Sequence, residues 1–363
     1  MKVSREQALA YRVTALGLAE RSTARPADLP VLDLGIQEYT PGSERVALAA
    51  RTGAELSDDR LVTVWAARGA PHQHRRRDLG WLVQALWPLS DADAAARTKS
   101  AQVPAAQRLG IEAIRVTARA FREVVTGPMP RGEVSAEVSR RIPAELTYDC
   151  RACAARHVAG TVWQPAGLPG GVLVAARGRD ALLAPIAGAP PLPGRNAGIG
   201  ELITAYLRLL GPAGPAEVAR YLGTTATEIK RVWPAGLDEV TVAGRRAWLP
   251  AGGAATLGAV ERPRGVRFLP PMDPLLQARD RELLIPERDR QKEVWRVLGN
   301  PGVLLVDGEP AGVWRAKTAG RKRVDLTVTA FDAMPATTRK AVEEEAGVVA
   351  RAREVGAATV AWS

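Results

Sequence analysis

Cys150, Cys153 and His157 are the first residues whose types invite chemistry. Two thiolates and an imidazole are zinc ligands, but a structural zinc site needs four ligands and this segment offers three. Their i, i+3, i+7 spacing falls along what reads as one helix face, where small cysteines also pack. The expectation is therefore packing and local polar contacts, with no metal. The densest cationic stretch is Arg68-Gly69-Ala70-Pro71-His72-Gln73-His74-Arg75-Arg76-Arg77. It reads as an exposed turn whose Arg75, Arg76 and Arg77 would neutralise backbone phosphates. With no acidic or cysteine neighbour, its histidines are not expected to hold a metal. No P-loop, no complete dinucleotide fingerprint after a strand and no G-x-S-x-G elbow is present. Nucleotide hydrolysis and acyl transfer are set aside, and no nucleotide or other cofactor is implied.

The charge balance points in a definite direction. A formal net charge of +11 and a pI near 10.2 usually answer a polyanion, so nucleic acid leads the partners. Only seven of the 50 basic residues are lysine. Arginine suits bidentate phosphate and base-edge contacts, although an Ala/Arg/Gly/Pro-rich chain also follows from a GC-rich genome. With 363 residues, 46% of them hydrophobic, the chain can bury a substantial core in two or three domains. The 25% charged fraction argues against disorder. No apolar run approaches a membrane span, the N-terminus is too polar for a signal peptide, and two cysteines suit a reducing compartment. The expected setting is the cytoplasm, in association with the nucleoid, with no membrane partner.

The elements that must position these residues are legible in part. The best-defined unit, 198-252, reads as helix, break, short helix closed by Gly223, and a third helix capped by a Thr. Two β-rich pieces around Ala243-Gly244-Arg245 follow. Three helices and a hairpin spell a winged helix. Its third helix would read a groove through Thr225, Thr227, Lys230 and Arg231, with Ile229, Val232 and Trp233 turned inward. Arg245 and Arg246 would sit on the wing. A second winged helix is expected over 104-190, opened by one long helix from Ala105 to Val125 and closed by a β-rich stretch from Gly170 to Pro185. An N-terminal winged-helix-like domain is expected over 1-103, with helices 4–20, 43–52 and 79–87 and a strand LVTVWAAR. Residues 265-363 read as an α+β cap, and Pro185–Gly198 as a linker. The fold class is thus mainly α with β (α+β): tandem winged helices, three in number, and a C-terminal cap.

Four blocks carry a resemblance: LGIQEYTPGSERVALAAR, VWAARGAPHQHRRRDL, FLPPMDPLLQARDRELL and GVLLVDGEPAGVWRAK. In this order, across nearly the whole chain, they resemble the AlkZ-like (YcaQ-type) tandem winged-helix DNA glycosylases and their actinobacterial relatives. The resemblance implies a concave basic surface around duplex DNA and hydrolysis of the N-glycosidic bond of alkylated or crosslinked N7-substituted purines, by a monomer. The family's catalytic signature is Gln, an apolar residue, then Gln or Asp. Here it falls on Gln37, Glu38 and Tyr39, of which Gln37 matches. An amide can suffice because an N7-alkylguanine is already cationic and leaves without a strong general acid. What remains is to place a water at the anomeric carbon and stabilise oxocarbenium character. In an extended segment residues 37 and 39 share a face, so Tyr39 stands where the second water ligand belongs. Its hydroxyl accepts a hydrogen bond but carries no carboxylate charge. Glu38 would orient the water if the backbone were rotated. The family also implies that Arg68 and His72, with His74 beside them, face the lesion or a phosphate. Asp273 before a proline reads first as a turn former, and the resemblance adds a supporting role around the site. The alternatives are a non-catalytic winged-helix regulator or lesion sensor with a degenerate active site, and a protein-interaction scaffold.

Overall fold

In the computed structural model, which describes residues 1–178, 181–320 and 322–363, the period-two patterning near the C-terminus becomes a five-stranded sheet. Strands Val266–Leu269, Gly302–Val306, Glu309–Ala319, Arg323–Ala330 and Ala357–Trp362 lie in that order. All pairs are antiparallel except the last. A parallel return needs a long crossover, and helix Ala336–Ala352 supplies it. Phe268, Leu304, Trp314, Leu326 and Val328 meet Val342, Ala346 and Val349 of that helix in one core. Val46 and Ala49 of helix Ser43–Ala49 enter the same core. The indole of Trp314 is buried edge-on to Phe268 with its N–H satisfied, donating to the Leu269 carbonyl at 2.8 Å.

By internal contact the chain divides into two compact units, and these do not follow the sequential order of the four segments read from sequence. The first joins Met1–Asp58, Thr204–Glu217 and Ala235–Ser363. It contains the five-stranded sheet and the N-terminal helix Arg5–Ala15, which a capping box of Ser4 and Gln7 starts. It also holds the hairpin Asp238–Val242/Arg245–Leu249. Ala243 and Gly244 both have positive φ there, the requirement of a tight type I′ connection.

The second unit joins Asp59–Ile203 and Val218–Pro234. Helix Ile111–Val124 buries Ala113, Ile114, Thr117, Ala118 and Phe121, the repeat of an amphipathic helix. Around it pack helix Arg131–Arg141, helix Gly160–Gly167 and a small sheet of Met129–Pro130, Leu182–Pro185 and Val172–Ala176. Trp65, Phe121 and Trp163 form an aromatic centre, the last two with ring centroids 4.4 Å apart.

Several local expectations need correction. The long helix from Ala105 is two helices, Ala105–Leu109 and Ile111–Val124, because Gly110 takes a positive φ and Asp91 accepts a hydrogen bond from the Ile111 N–H. The segment from Cys150 to His157 is no helix but a hairpin, Thr147–Cys150 paired with Ala155–Val158. The helix expected from 4 to 20 ends at Ala15. The β-rich close after Gly170 forms its two strands, with residues 179 and 180 outside the described set. Among the described residues no helix is long and apolar enough to cross a membrane.

Gly167 shows how tightly the second unit is packed. A Cβ there would lie 2.2 Å from Cε3 of Trp65, whereas one at Gly160 in the same helix would meet nothing within 4 Å. Gly167→Ala is expected to destabilise by about 1–3 kcal/mol through overpacking. Gly160→Ala should be neutral or slightly stabilising. Urea unfolding of the two variants makes the comparison.

Candidate active site

Gln37 ends the two-residue strand Ile36–Gln37, and the residue is 9% exposed beside fully buried Ile36. The chain then turns. Ser43 Oγ accepts hydrogen bonds from the backbone N–H groups of Tyr39 and Thr40, at 3.0 and 3.2 Å, fixing the bend into helix Ser43–Ala49. Glu38 and Tyr39 are half-buried. The Tyr39 hydroxyl is engaged, accepting a hydrogen bond from the backbone N–H of Asn300 at 3.3 Å.

Asn300 is a residue that sequence reasoning missed. Its Nδ2 lies 3.7 Å from the Met272 sulfur, and its Oδ1 is buried with no hydrogen-bond partner among the described residues. Met272 itself has φ +60, rare for a residue with a side chain. Its carbonyl is held by Gln277 Nε2 at 2.9 Å. The sequence signal for this loop was the turn string Gly299-Asn300-Pro301-Gly302, which says loop but not which residue it meets.

Asp273, the residue after Met272, is held by a contact the sequence does not disclose. Its carboxylate receives both terminal nitrogens of Arg51 at 2.8 Å, and both side chains are fully buried. Asp273 also accepts from the Leu275 N–H, so the turn-forming expectation is met as well. Arg51 donates further to the carbonyls of Leu16 and Ala47. A second pair repeats the design: Arg12, wholly buried, clasps Asp280 at 2.8 and 2.6 Å and donates to the carbonyls of Gly211 and Pro212. Burial works against the Arg12 charge, but the Asp280 carboxylate outweighs it and holds the pKa above its ordinary value.

In the second unit the expected cationic turn is largely a strand, Pro71–Arg75, antiparallel to Leu61–Trp65. His72, His74 and Arg75 are buried, and Arg75 donates to Asp78 at 3.0 Å. Of that run Arg76 and Arg77 are exposed. Arg68 has φ +58, stacks over the Tyr221 ring at 5.0 Å and donates to the Tyr221 carbonyl. It lines a cavity of about 130 Å³ together with Trp65, Trp87, Ile114 and Leu222. Helix Ala226–Arg231 is capped by Thr225 as expected, exposes Lys230 and Arg231, and buries Ile229. Arg231 is paired with Glu228 at 2.5 Å. On the hairpin of the first unit Arg245 and Arg246 are exposed, and Arg246 forks onto Glu239 while lying over Trp248.

Cys150 and Cys153 are free thiols on the hairpin tip of the second unit. The backbone N–H of Cys153, then the side chains of His157 and Cys153, draw the Cys150 thiol down to about 6. The Cys153 thiol is pushed up by Cys150.

A family model described as "DNA glycosylase AlkZ-like" matches residues 31–352. The chain is 28% identical over 385 residues to the interstrand DNA cross-link repair glycosylase of Streptomyces sahachiroi, covering 98% of both chains. The solved structure of the Streptomyces sahachiroi DNA glycosylase AlkZ superposes with a TM-score of 0.75 at 24% identity, covering all of both chains, and so shares the mixed α+β fold.

Removing one member of a buried, bidentate ion pair strands the other charge. Asp273→Ala is therefore expected to destabilise the protein by about 3–5 kcal/mol. Arg51→Met with Asp273→Leu should recover most of that loss, since neither charge is then left behind. Chemical denaturation of the single and double variants reads both effects.

Proposed function

Because the chain belongs to the AlkZ-like DNA glycosylase family, we propose that it hydrolyses the N-glycosidic bond of N7-alkylated purines in damaged duplex DNA, as a monomer needing no cofactor. The observation that carries this reading is Gln37, the signature residue retained, on a short strand and largely buried. A water attacks the anomeric carbon and the C1′–N9 bond breaks. The bonding electrons neutralise the cationic base, and the water's surplus proton passes to solvent. The Gln37 carbonyl oxygen accepts a hydrogen bond from that water and sets the negative end of its dipole toward the developing oxocarbenium ion. Tyr39 occupies the position of the second amide or carboxylate and holds the loop of Asn300. We assign to Asn300 Oδ1 the second acceptor, so that two neutral amides do what the family signature asks.

The duplex would be held by exposed cations. In the first unit these are Arg245 and Arg246, and in the second Arg76, Arg77, Lys230 and Arg231. Helix Ala226–Arg231, opened by the Thr225 cap and exposing Lys230 and Arg231, supports a groove-reading role for that helix. Arg68, His72, His74 and Arg75 are turned to their own chain and are assigned to shaping this surface. A non-catalytic lesion sensor or regulator is the reading that Tyr39, an aromatic in place of the second water ligand, favours.

Duplex DNA containing N7-methylguanine, incubated with the protein, is expected to yield free base and abasic sites. Gln37→Ala should slow release by about a hundredfold or more while DNA affinity stays within a few-fold. Asn300→Ala should also lower kcat, and Glu38→Gln should not. Intact DNA binding without base release by the wild type would hand the protein to the sensor reading. Binding itself should follow phosphate neutralisation: with some six phosphates contacted, affinity drops about a thousandfold between 50 and 200 mM salt. A titration indifferent to salt would remove the nucleic-acid reading altogether.

A further inference from the structure

The hairpin at Thr147–Val158 brings the two cysteines and His157 together in a way their linear spacing disguises. Tyr148 stands opposite His157 and Cys150 opposite Ala155. Directly opposed residues share a face and alternate residues along a strand do too, so Cys150 and His157 lie on the same face. The turn between the strands then carries Cys153 back over that face, helped by Ala154 in the left-handed region at φ +48. The ligand atoms of Cys150, Cys153 and His157 all lie within 4.8 Å of one another. Around a tetrahedral ion with metal–sulfur bonds of about 2.3 Å, neighbouring sulfurs are about 3.8 Å apart. Small side-chain rotations close the difference, and the exposed Cys153 has room to make them.

The imidazole is already prepared. His157 Nδ1 lies 2.8 Å from the Val158 carbonyl. A carbonyl only accepts, so Nδ1 donates to it and Nε2 is the nitrogen left to face a metal, the second-shell contact typical of a metal-ligating histidine. The Tyr148 ring packs against the imidazole at 5.0 Å in an edge-on arrangement that limits its rotation. The Val158 N–H is fixed to Ser139 Oγ at 2.9 Å, anchoring the strand to helix Arg131–Arg141.

We propose that Cys150, Cys153 and His157 bind a zinc ion, with a solvent water in the fourth position. Two thiols and one imidazole are a soft-to-borderline donor set, which selects zinc over magnesium or calcium. On binding, each thiol gives its proton to solvent and the ion gains two sulfur bonds and one nitrogen bond. Among the described residues no other His, Cys, Asp or Glu joins the cluster, so the water completes the coordination. The ion crosslinks both strands and the turn, and thereby fixes the exposed Arg151 at the tip and Arg156 beside the broad groove lined by Arg131, Ser135 and Trp163. The zinc is thus a clamp on a hairpin tip whose strands have only four residues each.

The full-length chain, purified in reducing buffer without added metal and desalted, should contain close to one zinc per chain. After stripping with a chelator, titration with cobalt(II) should give thiolate-to-cobalt charge-transfer absorption and the visible bands of a four-coordinate site. Cys150→Ser and Cys153→Ser should abolish both signals, and His157→Ala should weaken zinc binding sharply. Far-ultraviolet circular dichroism should be unchanged throughout, because the tip is exposed. The proposal is overturned if the folded wild type holds no zinc and gives no cobalt spectrum. It is equally overturned if Cys150→Ser/Cys153→Ser retains the metal.

Discussion

Two buried arginine–aspartate pairs hold the first unit in register. Arg51 with Asp273 and Arg12 with Asp280 each join residues more than two hundred positions apart, as bidentate pairs sheltered from solvent. Taking such charges out of water is expensive, and the interaction returns that cost only when every donor finds an acceptor. Both guanidiniums reach that condition by adding backbone carbonyls to the carboxylate. The result specifies one arrangement: any slip of the segment 273–280 against the N-terminal helices would leave a charge without its partner. That segment follows Met272, which reaches Asn300, which in turn holds Tyr39 two residues beyond Gln37. On the proposed reading, the placement of Gln37 thus depends on ion pairs buried inside the protein.

These pairs also refine what the net charge means. A count of basic residues suggests a surface crowded with arginine, yet Arg12 and Arg51 are interior and Arg75 is buried beside Asp78. Each such arginine takes an acidic residue with it, so the pairs are neutral and the surplus of +11 is not used up by them. It must reside in the other cations, and Arg76, Arg77, Lys230 and Arg245 are among those on the surface. The inference from charge to polyanion survives, while the assignment of particular arginines changes.

What was legible in the sequence is what local chemistry decides. The Thr225 cap, the helices from Ile199, Pro215 and Ala226, and the turn at Ala243-Gly244 appear as read, because caps, glycines and apolar spacing act within a few residues. The failures share a different cause. Pro71–Arg75 was hidden because its inward residues are His72 and His74, which do not register as an apolar alternation. Spacing of i, i+3 and i+7 is common to a helix face and to a hairpin whose turn folds back, so Cys150, Cys153 and His157 could not distinguish the two. Arg51 and Asp273 look like surface residues until each is known to have the other. Gln37 was found through a resemblance and Asn300 not at all, since its contact with Tyr39 spans 261 positions and leaves no local trace.

A cationic leaving group changes which site features matter. When the base departs already activated, the protein need not hold a proton donor of tuned acidity, and the demand shifts to position. Amide oxygens suit that demand: they are neutral, so holding them in a dry pocket costs far less than a buried carboxylate, and they do not change state with pH. An enzyme built this way can replace the second acidic or amide residue of its signature by a tyrosine that anchors a neighbouring asparagine, provided the scaffold fixes that asparagine. In this chain the fixing is done by Ser43 at the bend, Gln277 behind Met272 and the Arg51–Asp273 pair. On the proposed reading, the departure at Tyr39 is a redistribution of the acceptor rather than its loss, and the burden of catalysis moves from the identity of residue 39 to the rigidity of the loop it touches.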